Sequence, residues 1–104
     1  MSEFSAGMHA GMARMMQAMH AALASGNPDR DFLAMMIPHH EGAVEMARLV
    51  LIHGRDPATR RLAEDIIASQ TIEIAAMQQR LALLRGSSTP VEPEFPALGG
   101  TRGR

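Results

Sequence analysis

We predict an all-α protein, an antiparallel bundle of three long helices, from three features of the 104-residue sequence. First, two segments open with a helix-capping residue followed by proline, at Asn27-Pro28 and at Asp56-Pro57. Second, glycines follow the positions where we expect the helical segments to end. Third, no stretch alternates apolar and polar residues in the way that a strand does. Because the connections are short, neighbouring helices should run antiparallel.

The predicted helices cover, in order, residues 5–24, 28–53 and 57–85. Together they form a helical domain over residues 1–86. Residues 87–104 are rich in Pro, Gly and Ser, and we expect them to form a flexible or draped tail. Pro38 falls inside the second helix, where it removes the backbone hydrogen bond to the Ala34 carbonyl. The sequence therefore predicts a kink at this proline.

The composition argues against several classes of protein. The net charge is −1, with ten basic and eleven acidic residues scattered along the chain, so nothing favours nucleic acid or an anionic membrane surface. No apolar run is long enough to span a bilayer. The N-terminal residues lack the charged region and apolar core of a signal peptide. If the protein is exported, we expect its signal to be absent from this chain.

Sulfur occurs here only as thioether. The chain has no cysteine, which excludes disulfides, thiolate metal sites and cysteine nucleophiles, but it has ten methionines and five histidines. With about 100° per residue, the first helix gathers methionine and histidine within an arc of roughly 140°. The members of this arc are Met8, His9, Met12, Met15, Met16, Met19 and His20. We expect the arc to be the buried face of the helix.

A second cluster follows the proline of the second helix. His39 and His40 are adjacent there, and Met35, Met36 and Met46 lie on the same side or its flank. Adjacent residues diverge by about 100°, so the two imidazoles should turn to different neighbours. The predicted inward face of the third helix comprises Ile66, Ile67, Gln70, Glu73, Ile74, Met77 and Leu81. Glu73 could orient an imidazole by accepting its second N–H, with Gln70 as a further support. The alternative is a purely structural hydrogen bond between Glu73 and histidine.

Thioether and imidazole together favour Cu(I), and by the same softness Ag(I), over hard ions. We therefore predict metal ligands at His9, His20, His39, His40, Met8, Met12, Met15, Met16, Met19, Met35, Met36, Met46 and Met77. The predicted function is a copper buffer, carrier or resistance factor without turnover. Taken singly, each methionine is more typical of an irregular core. The alternative function is an interaction or scaffold module whose Met-rich face binds a protein partner, without metal.

Enzyme templates fit the sequence badly. After His40-Glu41, the second histidine of a zinc hydrolase motif would stand at 44, where the chain has Val44. Neither Glu41 nor Glu73 begins a Glu-x-x-His pair of a di-iron bundle. No glycine-rich phosphate loop is present. We therefore predict that the protein is not an enzyme, and the weaker alternative is an enzyme with Glu73 or a histidine as general base.

Two stretches, "DFLAMMIPHHEGAVEMARLVL" and "LAEDIIASQTIEIAAMQQRL", resemble the domain of unknown function 305 family over roughly residues 31–82. The matching pattern is Ile-Pro-His-His with a downstream Met-Ala, then Ile-x-x-x-Gln-x-x-Glu-Ile-x-x-Met. The resemblance implies a ferritin-like helical bundle without the di-iron ligands. It also implies an exported location, whether periplasmic, extracellular or surface-tethered. For members similar to the copper-binding protein CopM, it implies copper binding through Met and His.

The helix count bears on assembly. A closed ferritin-like bundle has four helices, whereas this chain has three long ones, so either the tail or a second copy should complete the bundle. Ile52, Ile72 and Leu83 project away from the predicted inward faces. We therefore predict a homodimer or a higher homo-oligomer.

Overall fold

A computed structural model describes residues 1–22 and 25–86 of the chain. Three α-helices follow one another: α1 (Glu3–Ala21), α2 (Pro28–His53) and α3 (Pro57–Gly86). These residues contain no strand, so the all-α prediction is confirmed. No helix in this part of the chain has an apolar stretch of the length that crossing a bilayer requires. The predicted tail at 87–104 lies outside the described residues.

The cap-and-proline pairs start α2 and α3 at the predicted positions. The Asn27 side chain accepts a hydrogen bond from the Arg30 N–H at 3.1 Å. The Asp56 carboxylate accepts from the N–H of Thr59 at 2.9 Å and from its hydroxyl at 2.7 Å. These bonds satisfy N–H groups of the first turn that have no partner within the helix. The Thr59 hydroxyl lowers the pKa of Asp56 because it stabilises the charged carboxylate, and the Thr59 N–H adds to this effect.

The connection between α1 and α2 is tied back onto α2 by Asp31. Its carboxylate accepts from the Ser25 hydroxyl at 2.5 Å and from the Ser25 N–H at 3.1 Å. The hydroxyl contact is the largest cause of a lowered pKa for Asp31. Gly26 has a φ of 85°, in the left-handed region that only glycine adopts without strain, and so reverses the chain there.

The carbonyl groups at the C-terminal end of α2 receive hydrogen bonds from a residue of α3. Gly54 donates its N–H to the Val50 carbonyl, and the Arg60 guanidinium donates to the carbonyls of Leu51 at 2.7 Å and Gly54 at 3.1 Å. Gly54 is extended rather than left-handed. It is required for space, because a Cβ there would lie 2.7 Å from the Val50 carbonyl oxygen.

The start of α1 differs by two residues from the approximate prediction. The helix begins at Glu3 because the Ser2 side chain caps it, accepting from the Ser5 N–H at 3.0 Å. The helix is described as far as Ala21, and the predicted end at residue 24 lies outside the described residues. The end of α3 at Gly86 differs by one residue from the prediction, which is within the fraying of a helix end. Pro38 lies within an uninterrupted α2, and the kink there stays a prediction.

The central helix is α2, with α1 packed along one side of it and α3 along another. Within the described residues, α1 and α3 do not pack against each other. Both pairs are antiparallel. Between α1 and α2, the rings of Phe4 and His53 meet edge to face at 6.0 Å, and Met15 lies over Gly42 further along. Between α2 and α3, Arg60 contacts Leu51 near one end and Glu73 contacts His40 further along. The result is an open, flat arrangement of 51 × 28 × 15 Å.

The buried core is small and lies between α2 and α3. Its apolar side chains are Val44 and Ala47 of α2 with Ala63 and Leu81 of α3. Among the described residues, no large side chain is completely buried. The buried residue of α1 is Gly11, which has no side chain. The two neighbours of α2 are therefore held in different ways.

Candidate metal-binding site

Part of the Met/His arc of α1 is half-buried, and the rest is exposed to solvent. Met8, Met15 and Met19 are half-buried, whereas Met12 and Met16 are 46% and 57% exposed. His9 and His20 are exposed as well. The prediction that the whole arc is buried was therefore wrong. The physical reason is that, within residues 1–22 and 25–86, α1 packs on α2 and not on α3, and one neighbouring helix cannot cover an arc of roughly 140°.

Glycines set the rotation of α1. A Cβ on Gly7 would lie 3.0 Å from a methyl carbon of Leu49, and one on Gly42 would lie 2.5 Å from the Met15 sulfur. Gly11 faces the Glu45 carboxylate, which also pairs with Arg14.

The closest approach of α1 and α2 thus falls on the glycines, not on the centre of the Met/His arc. Sequence reasoning missed this, although the Gly7-x-x-x-Gly11 spacing is a readable signal of close helix packing.

The exposed part of the arc forms a continuous line, which we call the α1 stripe: His9, Met12, Met16 and His20. Its members are separated by three or four residues, so successive side chains are neighbours on the helix surface. The Nδ1 of His9 donates to the Ser5 carbonyl at 2.8 Å, since a carbonyl oxygen can only accept. The Nε2 of His9 then carries the lone pair. A backbone carbonyl orients the ring in the same way at many metal sites.

The two adjacent histidines of α2 differ in environment. His39 is exposed and His40 is half-buried, and their ring centroids are 6.1 Å apart at an interplanar angle of 59°. They turn to different surroundings, as predicted for adjacent helical residues. His39, which was expected to face Met35 and Met46 on an apolar stripe, stands in solvent instead.

His40 is engaged at both ring nitrogens. Its Nδ1 lies 3.0 Å from the Met36 carbonyl oxygen, and its Nε2 lies 2.7 Å from Glu73 Oε1. The predicted contact between Glu73 and an imidazole is therefore present, although Glu73 is exposed rather than on the inward face. While both contacts last, His40 has no free lone pair for a metal. This arrangement favours the structural alternative, in which His40 and Glu73 hold α2 to α3.

The other predicted ligands are divided between packing and the walls of a groove. Met35, Met36 and Met77 are half-buried. An apolar groove of about 310 Å³ runs between α1 and α3 with α2 as its floor, and Met8, Met46, Val50, Leu62, Ile66 and Gln70 line it. Ile66 was predicted to face inward, but it lies partly exposed at the rim because α1 does not reach α3. The structure shows no hydrogen bond from Gln70 to a histidine within the described residues, and its amide oxygen is buried without a partner.

The types of side chain that lie together limit which metal ions the protein could bind. Within residues 1–22 and 25–86, no three His, Asp or Glu side chains come together as metal ligands. Zinc and iron sites in helical bundles are built from such groups. The α1 stripe offers a different set, two thioethers and two imidazoles, which are typical ligands for soft ions.

Comparison with known proteins identifies the family. A family model described as "Domain of unknown function (DUF305)" matches residues 1–81. The chain is also 42% identical over 53 residues to the uncharacterized protein L153 of Acanthamoeba polyphaga mimivirus. That match covers 51% of this chain and 35% of the viral protein, so the chain spans about a third of that relative. On the strength of the family match, the chain belongs to the DUF305 family.

Proposed function

We propose that this protein binds Cu(I) through the α1 stripe and acts as a copper buffer, carrier or resistance factor without turnover. The observation that carries the proposal is the joint exposure of Met12 and Met16 between His9 and His20. Methionine is ordinarily among the most buried residues, so two exposed thioethers flanked by imidazoles call for an explanation beyond packing. Coordination of a soft ion supplies one, and Ag(I) should substitute for Cu(I).

The spacing of the stripe suits a shared ion. Residues three or four apart on a helix have Cβ atoms about 5–6 Å apart, and the methionine side chain has three rotatable bonds. Neighbouring donors can therefore converge without a change in the backbone. His9 adds an Nε2 whose partner nitrogen is already held by the Ser5 carbonyl. Copper bound there would be held by thioether sulfur and imidazole nitrogen.

The remaining predicted ligands are not part of the proposed copper site, with one exception. The half-buried methionines fill the spaces between helices, and His40 is occupied by Glu73 and the Met36 carbonyl. His39 is exposed and has the chemistry of a ligand, so it stays a candidate. The export implied by the family resemblance belongs to the same proposal.

Cu(I) titration against a competing chelator tests the stripe. The double variant Met12→Leu/Met16→Leu removes both sulfurs but keeps a similar apolar volume. We expect its affinity for Cu(I) to fall at least about tenfold, or roughly 1.4 kcal/mol. Met8→Leu/Met15→Leu is the matched control, because it removes two half-buried sulfurs from the same helix. Equal affinities for the two variants would contradict the proposal.

The pH dependence separates thioether from imidazole ligands. Imidazole must be deprotonated to bind a metal, and in water it takes up a proton around pH 6.5. A thioether does not titrate in this range. We expect Cu(I) affinity to weaken between pH 7.5 and 5 but not to vanish, and His9→Gln/His20→Gln to lose most of that dependence. A wild-type affinity that is the same at both pH values would exclude histidine from the site.

The exposure of Met12 and Met16 also favours a second candidate function. Methionine surfaces adapt to different protein partners, so the stripe could be the docking surface of an interaction or scaffold module. Metal analysis of protein purified from cells grown with added copper distinguishes the two functions. Copper at a fixed ratio to protein, lost in the Met12→Leu/Met16→Leu variant, supports metal binding. Metal-free wild-type protein from such cells favours the interaction module.

A further inference from the structure

We propose that the apolar groove between α1 and α3 binds a second copy of this chain, so that two flat protomers pack face to face. The proposal is independent of copper binding. It concerns the groove lined by Met8, Met46, Val50, Leu62 and Ile66, not the α1 stripe.

The shape of the protomer is the first argument. Its radius of gyration is 17.2 Å, whereas a compact domain of this length has about 13 Å. Its smallest extent is 15 Å, and α1 and α3 lie on different sides of α2 without packing on each other. Folded domains are built from two packed layers around a core. A second copy on the groove would supply the second layer.

The distribution of apolar side chains is the second argument. At the rim of the groove, Leu62 is 62% and Ile66 39% exposed, although both belong to the helix that carries half of the core. The two residues are one turn apart and form a ridge beside the groove. A two-fold axis would set the ridge of each copy into the groove of the other, as isologous interfaces require.

Charge and area favour a second copy over another partner. In the part of the chain that the structure describes, no charged side chain lines the groove, and its polar members are Thr59 and Gln70. A two-fold interface brings each patch against itself, so an uncharged patch avoids like-charge repulsion, whereas a charged partner would find no complement. The two longer extents of the protomer, 51 and 28 Å, leave room on one face for the ~800 Å² that each partner buries in a standard interface.

Light scattering of the full chain at tens of micromolar, with a copper chelator present, tests the proposal. We expect a dimeric mass for the wild type. We expect Leu62→Glu/Ile66→Glu to be monomeric with unchanged helical circular dichroism, because it buries charge only in the dimer. Ile52→Glu is the matched control. The sequence alone named this residue as outward-facing surface for an oligomer, but it is 71% exposed and lies about 200° round α2 from Val50, away from the groove proposed here. The control should stay dimeric.

Cross-linking locates the interface without relying on a disruptive variant. The chain has no cysteine, so a single introduced thiol reports on its own surroundings. Under mild oxidation, a mixture of Ile66→Cys and Val50→Cys proteins should form mixed disulfide-linked dimers at least tenfold faster than a mixture of Ile66→Cys and Ile52→Cys proteins, because the ridge of one copy lies in the groove of the other. A monomeric wild type would overturn the proposal and leave the C-terminal residues or another protein as the occupant of the groove. A dimer that forms only with copper, or that Ile52→Glu breaks, would overturn it as well.

Discussion

The contact of α2 with α3 and its contact with α1 are formed by different kinds of residue. Between α2 and α3, apolar side chains such as Val44 and Leu81 are buried, and the His40–Glu73 pair spans the same interface. Between α1 and α2, glycines bring the backbones close, and Met15 covers Gly42. The polar link there, Arg14 with Glu45, lies in solvent.

This difference indicates which contact contributes more to the stability of the fold and which helix has a surface open to ligands. Burial of a leucine-sized side chain contributes roughly 1.5–3 kcal/mol, whereas a solvent-exposed ion pair contributes about 0–1 kcal/mol. We therefore expect the α2–α3 pair to be the stable unit and α1 to open locally first, because few apolar side chains hold it. The same loose packing leaves the α1 stripe available to a ligand. The metal-binding face proposed here thus lies on the less stable of the two contacts.

The largest effect should come from the α2–α3 contact. Leu81→Ala removes a buried side chain from a core with few large members, so we expect a loss of about 2–4 kcal/mol in the free energy of unfolding. Urea denaturation followed by circular dichroism measures it. Leu83→Ala is the matched control, since Leu83 is exposed on the same helix and should change stability by less than about 0.5 kcal/mol. Similar losses in both variants would contradict the assignment of the core.

An intermediate effect is expected at the glycine contact of α1. In Gly42→Val the new side chain meets Met15, whose sulfur is 2.5 Å from the ideal Cβ position, and we expect a loss of about 1–3 kcal/mol. A double-mutant cycle with Met15→Ala should show that valine is tolerated better once Met15 is shortened. Gly86→Ala is the control, because a Cβ there has open space. Additive effects of the two changes would mean that Met15 does not cover Gly42.

The smallest effects should appear at the helix starts, as a dependence on pH. Hydrogen bonds lower the pKa of Asp31, mainly through the Ser25 hydroxyl, and that of Asp56, mainly through the Thr59 hydroxyl. A lowered folded-state pKa stabilises the protein above the unfolded pKa, near pH 3.9. That stabilisation is lost as the pH falls through the folded-state value.

Carboxyl NMR titration with Ser25→Ala and Thr59→Val checks these two sites. We expect Ser25→Ala to raise the pKa of Asp31 towards the ordinary aspartate value and to leave that of Asp56 unchanged. Thr59→Val should do the reverse, so each variant is the control for the other. Each should also lower the melting temperature near neutral pH by a few degrees, with a smaller difference from wild type at pH 3. A pKa that does not move in either variant would mean that the hydroxyls are not the cause.

Part of this fold and of the candidate site could be predicted from the sequence. The residues that start α2 and α3 act locally: Asn27 and Asp56 bond to N–H groups three residues away, so their positions alone predict the helix starts. The contact of Glu73 with an imidazole was also predicted, and it forms with His40. The cap at Ser2 was missed, although it is equally local, and so the start of α1 was placed two residues late.

The sequence alone determined the three helices, the thioether and imidazole chemistry and the absence of thiols, because these depend on local hydrogen bonds and on residue types. Which of the thioether and imidazole groups are exposed to solvent depends on how the helices pack. Gly7, Gly11 and Gly42 turn α1 so that Met15 packs while Met12 and Met16 stay in solvent. The physical reason is that periodicity groups residues on one side of a helix, but burial depends on how many neighbours cover that side. Among the described residues, α2 is the helix that covers α1.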